Sequence, residues 1–177
     1  MRPGRCLTFC LLMAGPASAQ DAGFDPSTLD LPALIECRAD VQTYNVFAFW
    51  LAAETDTSST LGWQETESGN LFLKQYSLPA PVSVFGQETD TIAFTASGPM
   101  AVLDGISPAE MAQKLEITPA ISTPEKFLGE KVVVDKTEED GGMRFQTRIS
   151  VNVSTVDSHP GKTLAGCSYS ISMQEAE

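Results

Sequence analysis

The side chains that could carry catalysis are few in this chain. Histidine is the usual proton shuttle near neutral pH, and the sequence contains one, His159. Asp157, Ser158 and His159 are the residue types of a hydrolase triad, but neighbours in one turn cannot aim at one another as that mechanism requires. We therefore predict that this segment is a turn without a catalytic role.

The cysteines favour a structural interpretation. Two of the four, Cys37 and Cys167, lie outside the N-terminal apolar segment. A cysteine nucleophile needs a free thiolate, whereas a cysteine pair in an exported protein is typical of a disulfide. We predict a disulfide between Cys37 and Cys167, which would join the start of the domain to its last strand. The histidine and thiol groups that remain are too few for a zinc site.

The 23 Asp and Glu residues leave two further kinds of chemistry open. Two carboxylates at the right separation suffice for a glycosidase, although the sequence does not single out a pair. Acidic turns at residues 88–90 and 140–142 offer oxygen ligands, but they lack the ordered ligand spacing of a calcium loop. No glycine-rich phosphate loop follows a strand. We predict no catalytic, cofactor-binding or metal-binding residue, and no cofactor.

The N-terminal residues predict export. Arg2 and Arg5 precede an apolar run at residues 6–14, and Ala-Ser-Ala follows at residues 17–19. This pattern is typical of a bacterial secretory signal, with residues 1–19 removed by cleavage after Ala19. The apolar run is far shorter than the roughly 20 residues that span a bilayer, so we expect no transmembrane segment in the mature chain. We expect a periplasmic or extracellular protein.

The chain is strongly acidic. Its formal net charge is −12, and without the two leader arginines it has 9 basic and 23 acidic residues, a net charge of −14. Binding to nucleic acid or to an anionic membrane surface requires positive charge, so both kinds of partner are disfavoured. The partner is expected to be a protein or an envelope component.

Two helices are predicted in the mature chain. After an extended arm at residues 20–29, Asp30 can cap and Pro32 suits a first turn. Apolar residues then recur at spacings of three and four, which predicts one long helix ending near Glu54; they are Leu34, Cys37, Val41, Tyr44, Ala48 and Leu51. A capping box, Ser107 to Glu110, predicts a short second helix at residues 108–116.

The rest of the chain predicts strands. Residues 61–67 and 71–78 flank a turn at 68–70, and the last third alternates apolar and polar residues as a β-meander. In the final strand Cys167 lies on the apolar face. We therefore predict an α+β fold: a single antiparallel sheet of six or more strands, with a long N-terminal helix and a short second helix packed on one face. Residues 30–177 are expected to form one globular domain.

One segment is a candidate edge for docking a partner. Pro79 and Pro81 cannot donate to a β-ladder, so the following residues form either an edge strand or a strand after a bulge. An exposed edge can receive a strand from another protein. The candidate edge consists of Pro79, Pro81, Val82, Val84 and Phe85.

These features predict a secreted or periplasmic, non-catalytic binding or interaction protein of unknown partner, for example an inhibitor or an envelope accessory. The alternative is a carboxylate-dependent hydrolase that acts on envelope or extracellular polymers. Two facing carboxylates in a deep cleft would favour the hydrolase, and an exposed apolar edge would favour the binding protein.

Overall fold

The computed structural model describes residues 24–53 and 57–174. The predicted signal peptide, its cleavage site after Ala19 and residues 20–23 of the predicted arm lie outside this range. The described part of the arm contains a 3-10 turn, Pro26–Thr28, capped by the Asp25 side chain. The ring of Phe24 packs against Phe47, with the ring centroids 5.4 Å apart.

In residues 24–53 and 57–174, eight strands form one antiparallel sheet, which confirms the predicted sheet of six or more strands. The strands are β1 (Gln64–Thr66), β2 (Lys74–Val84), β3 (Gln87–Phe94), β4 (Pro99–Leu103), β5 (Pro119–Ser122), β6 (Phe127–Asp140), β7 (Met143–Ser154) and β8 (Thr163–Gln174). Their order across the sheet is β1-β2-β3-β4-β8-β7-β6-β5. The last strand of the described chain is therefore central, between β4 and β7.

The predicted long N-terminal helix is wrong, and with it the α+β assignment. The described ranges contain four short helices instead: α1 (Leu31–Ile35), α2 (Val41–Ala53), α3 (Thr57–Thr60) and α4 (Pro108–Lys114). The described part of the chain is mostly β. The short second helix was predicted correctly, and its Ser107 and Glu110 form both bonds of the capping box.

The break between α1 and α2 has a local cause. Cys37 has a φ of +59°, in the left-handed region that terminates a helix. The amides of Arg38 and Ala39 both donate to the carbonyl of Ala33, at 2.8 and 3.3 Å, which closes the end of α1. Asp40 then accepts from the amide of Thr43 at 2.7 Å and caps α2.

The core lies between α1, α2 and α4 and one face of the sheet. Its fully buried members include Ile35, Phe47 and Met111 from the helices and Ile92 and Val153 from the strands. Central strands contribute alternate residues to this face, because side chains alternate along a strand. A smaller cluster on the opposite face consists of Ala93, Met100, Val102 and Leu164.

The predicted disulfide is present. The Cα atoms of Cys37 and Cys167 are 5.2 Å apart and their sulfurs are bonded. The bond joins the turn after α1 to β8. Such a bond is typical of proteins that fold in an oxidising compartment outside the cytoplasm.

Candidate docking site

His159 holds a turn against the sheet. Its Nδ1 lies 2.8 Å from the Ser158 hydroxyl, and its Nε2 lies 2.6 Å from the side-chain oxygen of Gln75 in β2. Because the Gln75 oxygen accepts, Nε2 carries the proton and Nδ1 accepts from Ser158. Burial, followed by the charge of Lys162, lowers the pKa of His159. The neutral imidazole therefore fastens the β7–β8 turn to β2.

The triad residue types do not form a triad. Asp157 is exposed and, among the described residues, makes no hydrogen bond to His159. The Ser158 and His159 contact joins sequence neighbours, and the second ring nitrogen is occupied by a neutral amide. The geometry is that of a turn held by hydrogen bonds.

The candidate edge lies partly in solvent. Pro79 and Pro81 are exposed, Val82 and Phe85 are half-buried, and Val84 is fully buried in the core. The register of β2 against β3 shifts between Ser77 and Val82, so the two prolines lie in a bulge. The buried Val84 side chain is not available to a partner. Docking at the other four residues stays a prediction.

The outer side of this segment is also open. β1 pairs only with Gln75, Tyr76 and Ser77, so within the described ranges β2 has no strand on its outer side beyond Ser77. The end of the segment is held by α1, because the Phe85 amide donates to the Glu36 carboxylate at 2.6 Å. The segment is thus both an edge and a strand that follows a bulge.

The most exposed apolar side chains lie elsewhere, in the connection between β1 and β2. Leu71 has a relative exposure of 102% and Phe72 of 85%. We call residues 67–73 the docking loop. The sequence predicted a strand over residues 71–78, but β2 begins at Lys74. Three consecutive apolar residues, Leu71 to Leu73, cannot all face one core from a strand, and this signal could have identified the loop.

Hydrogen bonds fix the shape of the docking loop. The Ser68 hydroxyl lies 2.8 Å from the carbonyl oxygens of both Asn70 and Leu73. The Asn70 side-chain oxygen accepts from the amide of Phe72 at 2.9 Å, and the Asn70 carbonyl accepts from the amide of Leu73 at 3.1 Å. Leu73 packs against the smaller core cluster. The loop therefore presents Leu71 and Phe72 from an ordered turn.

A shallow cleft adjoins the docking loop. Its volume is about 1190 Å³, and the loop forms one side while residues 94–97 form the other. Phe94 is half-buried at this wall, and its ring lies edge-on to Tyr76 with centroids 5.9 Å apart. At the end of the loop Lys74 pairs with Glu65 at 3.2 Å. Exposed apolar side chains and a cleft beside them form a surface that another protein can bind.

Comparison with known proteins assigns this chain to no family. Neither the family models, the curated proteins nor the solved structures that were compared gave a match to this chain. Of the helices in residues 24–53 and 57–174, none is long and apolar enough to cross a membrane. In the same ranges, no group of three or more His, Cys, Asp or Glu side chains is placed to hold a metal ion.

Proposed function

We propose that this chain is an exported, non-catalytic interaction protein that docks on a partner protein through the docking loop. The observation that carries the proposal is the exposure of Leu71 and Phe72 on a turn that is already ordered by hydrogen bonds. An inhibitor and an envelope accessory both fit this mode of binding. The disulfide and the leader support export to the periplasm or the medium.

Burial of the two side chains supplies a driving force. Removing a leucine or phenylalanine side chain from water contributes about 1.5 to 3 kcal/mol. A loop that is ordered before binding loses little further conformational entropy when it binds. Leu71 and Phe72 therefore have the properties of a binding hot spot.

The charge of the chain selects among partners. A net charge of −12 repels nucleic acids and anionic lipids, so an apolar pocket of a protein is the better match for the loop tip. Glu67, at the start of the loop, is exposed. We expect the rim of the partner's pocket to be neutral or basic.

The hydrolase alternative has no comparable support. A glycosidase general acid needs a raised pKa. In the described part of the chain, the carboxyl groups with a clear pKa shift all have it lowered by hydrogen bonds; they are Asp25, Asp40, Glu110, Glu116 and Glu130. The docking function is the one for which the geometry offers a specific surface.

The test compares two double variants of the exported protein. Leu71→Ser/Phe72→Ser removes the loop tip, and Val46→Ser/Phe49→Ser removes exposed apolar side chains from α2 as a matched control. Each protein is used to capture partners from an envelope extract, and a captured partner is then purified for titration. Circular dichroism confirms that each variant is folded.

We expect one partner to be retained by the wild type and the α2 variant and lost by the loop variant. In titration the loop variant should weaken binding by at least about 100-fold, as the loss of two buried side chains implies. Equal recovery by all three proteins, or recovery of no partner, would contradict the proposal.

A further inference from the structure

The end of the sheet formed by β6, β7 and β8 extends beyond its neighbours. β5 pairs with β6 only at Phe127, Leu128 and Gly129, and β4 pairs with β8 only from Thr163 to Gly166. We call residues 134–140, 143–149 and 169–174 the ribbon end. These segments pair with one another along their length, so the ribbon end is a three-stranded sheet. Ile149 and Tyr169, at its inner end, are buried, whereas residues 171–173 are exposed.

One face of the ribbon end continues the face that carries the helices. Ile149 lies opposite Tyr169, and both are buried in the core, where Tyr44 of α2 stacks on Tyr169 at 4.6 Å. Because side chains alternate along strands, positions two and four residues further along share this face. They are Thr147 with Ile171 and Phe145 with Met173.

This continued face is apolar but uncovered. Met143, Ile171 and Met173 have relative exposures of 52%, 53% and 71%. Phe145 beside them is half-buried. We call this surface, Met143, Phe145, Ile171 and Met173, the ribbon patch. In the described structure no helix covers it, whereas Tyr44 of α2 covers Tyr169, the next residue of this face along β8.

Carboxylates lie beside the ribbon patch. The register places Glu138 opposite Phe145 and Asp140 opposite Met143, which puts both acidic side chains on the patch face. Neither makes an ion pair with another residue of the described ranges. Lys136, opposite Thr147, is on the same face nearer the helices.

The back of the ribbon end is different. Arg144 pairs with Glu139 at 3.1 Å, and Arg148 pairs with Glu130 at 3.1 Å. The side chain of Asp135, on the same face, accepts a hydrogen bond from the Gln146 amide at 2.8 Å. Each of these back-face charged groups therefore has a partner within the chain. On the patch face, the two carboxylates near the tip are left to solvent.

We propose that the ribbon patch binds a basic amphipathic helix of a partner protein. Strands lie about 4.8 Å apart, so three of them give a surface about 10 Å wide, which matches the diameter of a helix. Helices also pack on this face of the sheet elsewhere in the molecule. The apolar side of the partner's helix would cover Ile171 and Met173, and its lysines or arginines would pair with Glu138 and Asp140.

Two features favour this occupant over a second copy of the chain. A second copy would bring its own Glu138 and Asp140 against the same carboxylates, and like charges in an interface are unfavourable. The methionines add an adaptable apolar surface, which suits helices of differing sequence. The patch is separate from the docking loop, so its function does not depend on the role of that loop.

The test uses two synthetic helical peptides of roughly 14 residues, about 20 Å long, one of leucine and lysine and one of leucine and glutamate. Binding to the exported protein is measured by calorimetry. The lysine peptide should bind and the glutamate peptide should not. Binding of both to a similar extent, or of neither, overturns the proposal.

Two charge-matched variants separate a specific site from general attraction to an acidic protein. Glu138→Lys/Asp140→Lys alters the patch face, and Asp135→Lys/Glu139→Lys makes the same change of charge on the back face. We expect the first to weaken binding of the lysine peptide at least about 10-fold and the second less than about 3-fold. Equal weakening by both variants overturns the site.

An apolar substitution completes the test. Met173→Ser should weaken peptide binding, whereas Leu71→Ser in the docking loop should leave it unchanged. This pair also separates the two proposed surfaces, because failure at one leaves the other measurable. Self-association of the wild type that Met173→Ser abolishes would overturn the proposal and assign the patch to a second copy.

Discussion

The hydroxyl of Tyr169 donates a 2.7 Å hydrogen bond to the carbonyl of Leu34. Leu34 belongs to α1, whose last carbonyls have no partner within so short a helix. The disulfide between Cys37 and Cys167 lies two residues away from Tyr169 along β8. One hydrogen bond and one covalent bond therefore fasten α1 to the central strand of the sheet.

Tyr169→Phe should destabilise the protein. The ring would remain stacked on Tyr44, but the buried carbonyl of Leu34 would lose its donor, which costs about 1 to 3 kcal/mol. Urea unfolding measures the change. Tyr44→Phe is the control, because in the described structure the Tyr44 hydroxyl has no hydrogen-bond partner, and it should cost less than about 0.5 kcal/mol. Equal losses of unfolding free energy in the two variants would contradict a stabilising role for the hydrogen bond from Tyr169 to Leu34.

Removal of the disulfide should have a larger effect. The bond closes a loop with a sequence separation of 130, and the chain-entropy model gives about 4 to 5 kcal/mol for a loop of this length. The disulfide-bonded protein should unfold at a markedly lower urea concentration once a reductant is added. A Cys37→Ser/Cys167→Ser variant should unfold at that lower urea concentration with or without the reductant. A wild type whose unfolding midpoint does not respond to reduction would refute this expectation.

Stability should depend on pH through His159. Its pKa is lowered from the ordinary value of 6.5 in the folded protein, so between the two values the unfolded chain binds a proton that the folded chain does not. The free energy of unfolding that neutral His159 contributes is therefore fully present above pH 6.5. It is lost as the pH falls through the folded-state pKa. Because the chain has one histidine, its NMR titration gives the folded pKa directly.

His159→Asn provides the comparison for this titration. The variant should be less stable at neutral pH, by about 1 to 3 kcal/mol, because the bond to Gln75 is lost. Its free energy of unfolding should change little between about pH 5 and 7, where ordinary carboxyl groups stay ionised. Parallel pH curves for the variant and the wild type would show that His159 is not responsible.

Gly166→Ala should be severely destabilising. A Cβ at this position in β8 would lie 2.6 Å from the Cα of Met100 in β4 and still closer to the carbonyl of Pro99. Forcing the two strands apart is expected to cost about 3 kcal/mol or more. Gly141→Ala is the matched change, since its Cβ meets no atom within 4 Å and only its φ of +58° opposes alanine. That backbone strain costs about 1 to 2 kcal/mol. The thermal unfolding midpoint of Gly166→Ala should therefore be clearly lower than that of Gly141→Ala.

Local chemistry explains what the sequence could predict. The capping box of Ser107 and Glu110 needs only residues three apart, and it forms as expected. Alternation in the last strand placed Cys167 on the core side, where it is fully buried. The disulfide was predicted because Cys37 and Cys167 are the two cysteines outside the leader, and it is present. These features are decided by neighbouring residues and by which side of a strand is apolar.

The errors have a different origin. The apolar spacing of three and four continues through residues 36–40, because α1 and α2 bury residues against the same face of the sheet. Periodicity therefore did not reveal the left-handed turn at Cys37, although Asp40 was a recognisable cap for a second helix. The docking loop was missed because the exposure of Leu71 and Phe72 depends on where β2 begins, and the pairing of β2 with β3 decides that.

The central position of β8 has a consequence for biosynthesis. β8 is translated after every other described strand, yet it supplies the ladder between β4 and β7. Until β8 joins them, the folding chain can form only two separate meanders, β1 to β4 and β5 to β7, and the strands β4 and β7 each keep an unpaired edge. Such partly folded states aggregate readily, so we expect this protein to depend on chaperones until β8 has paired with both strands.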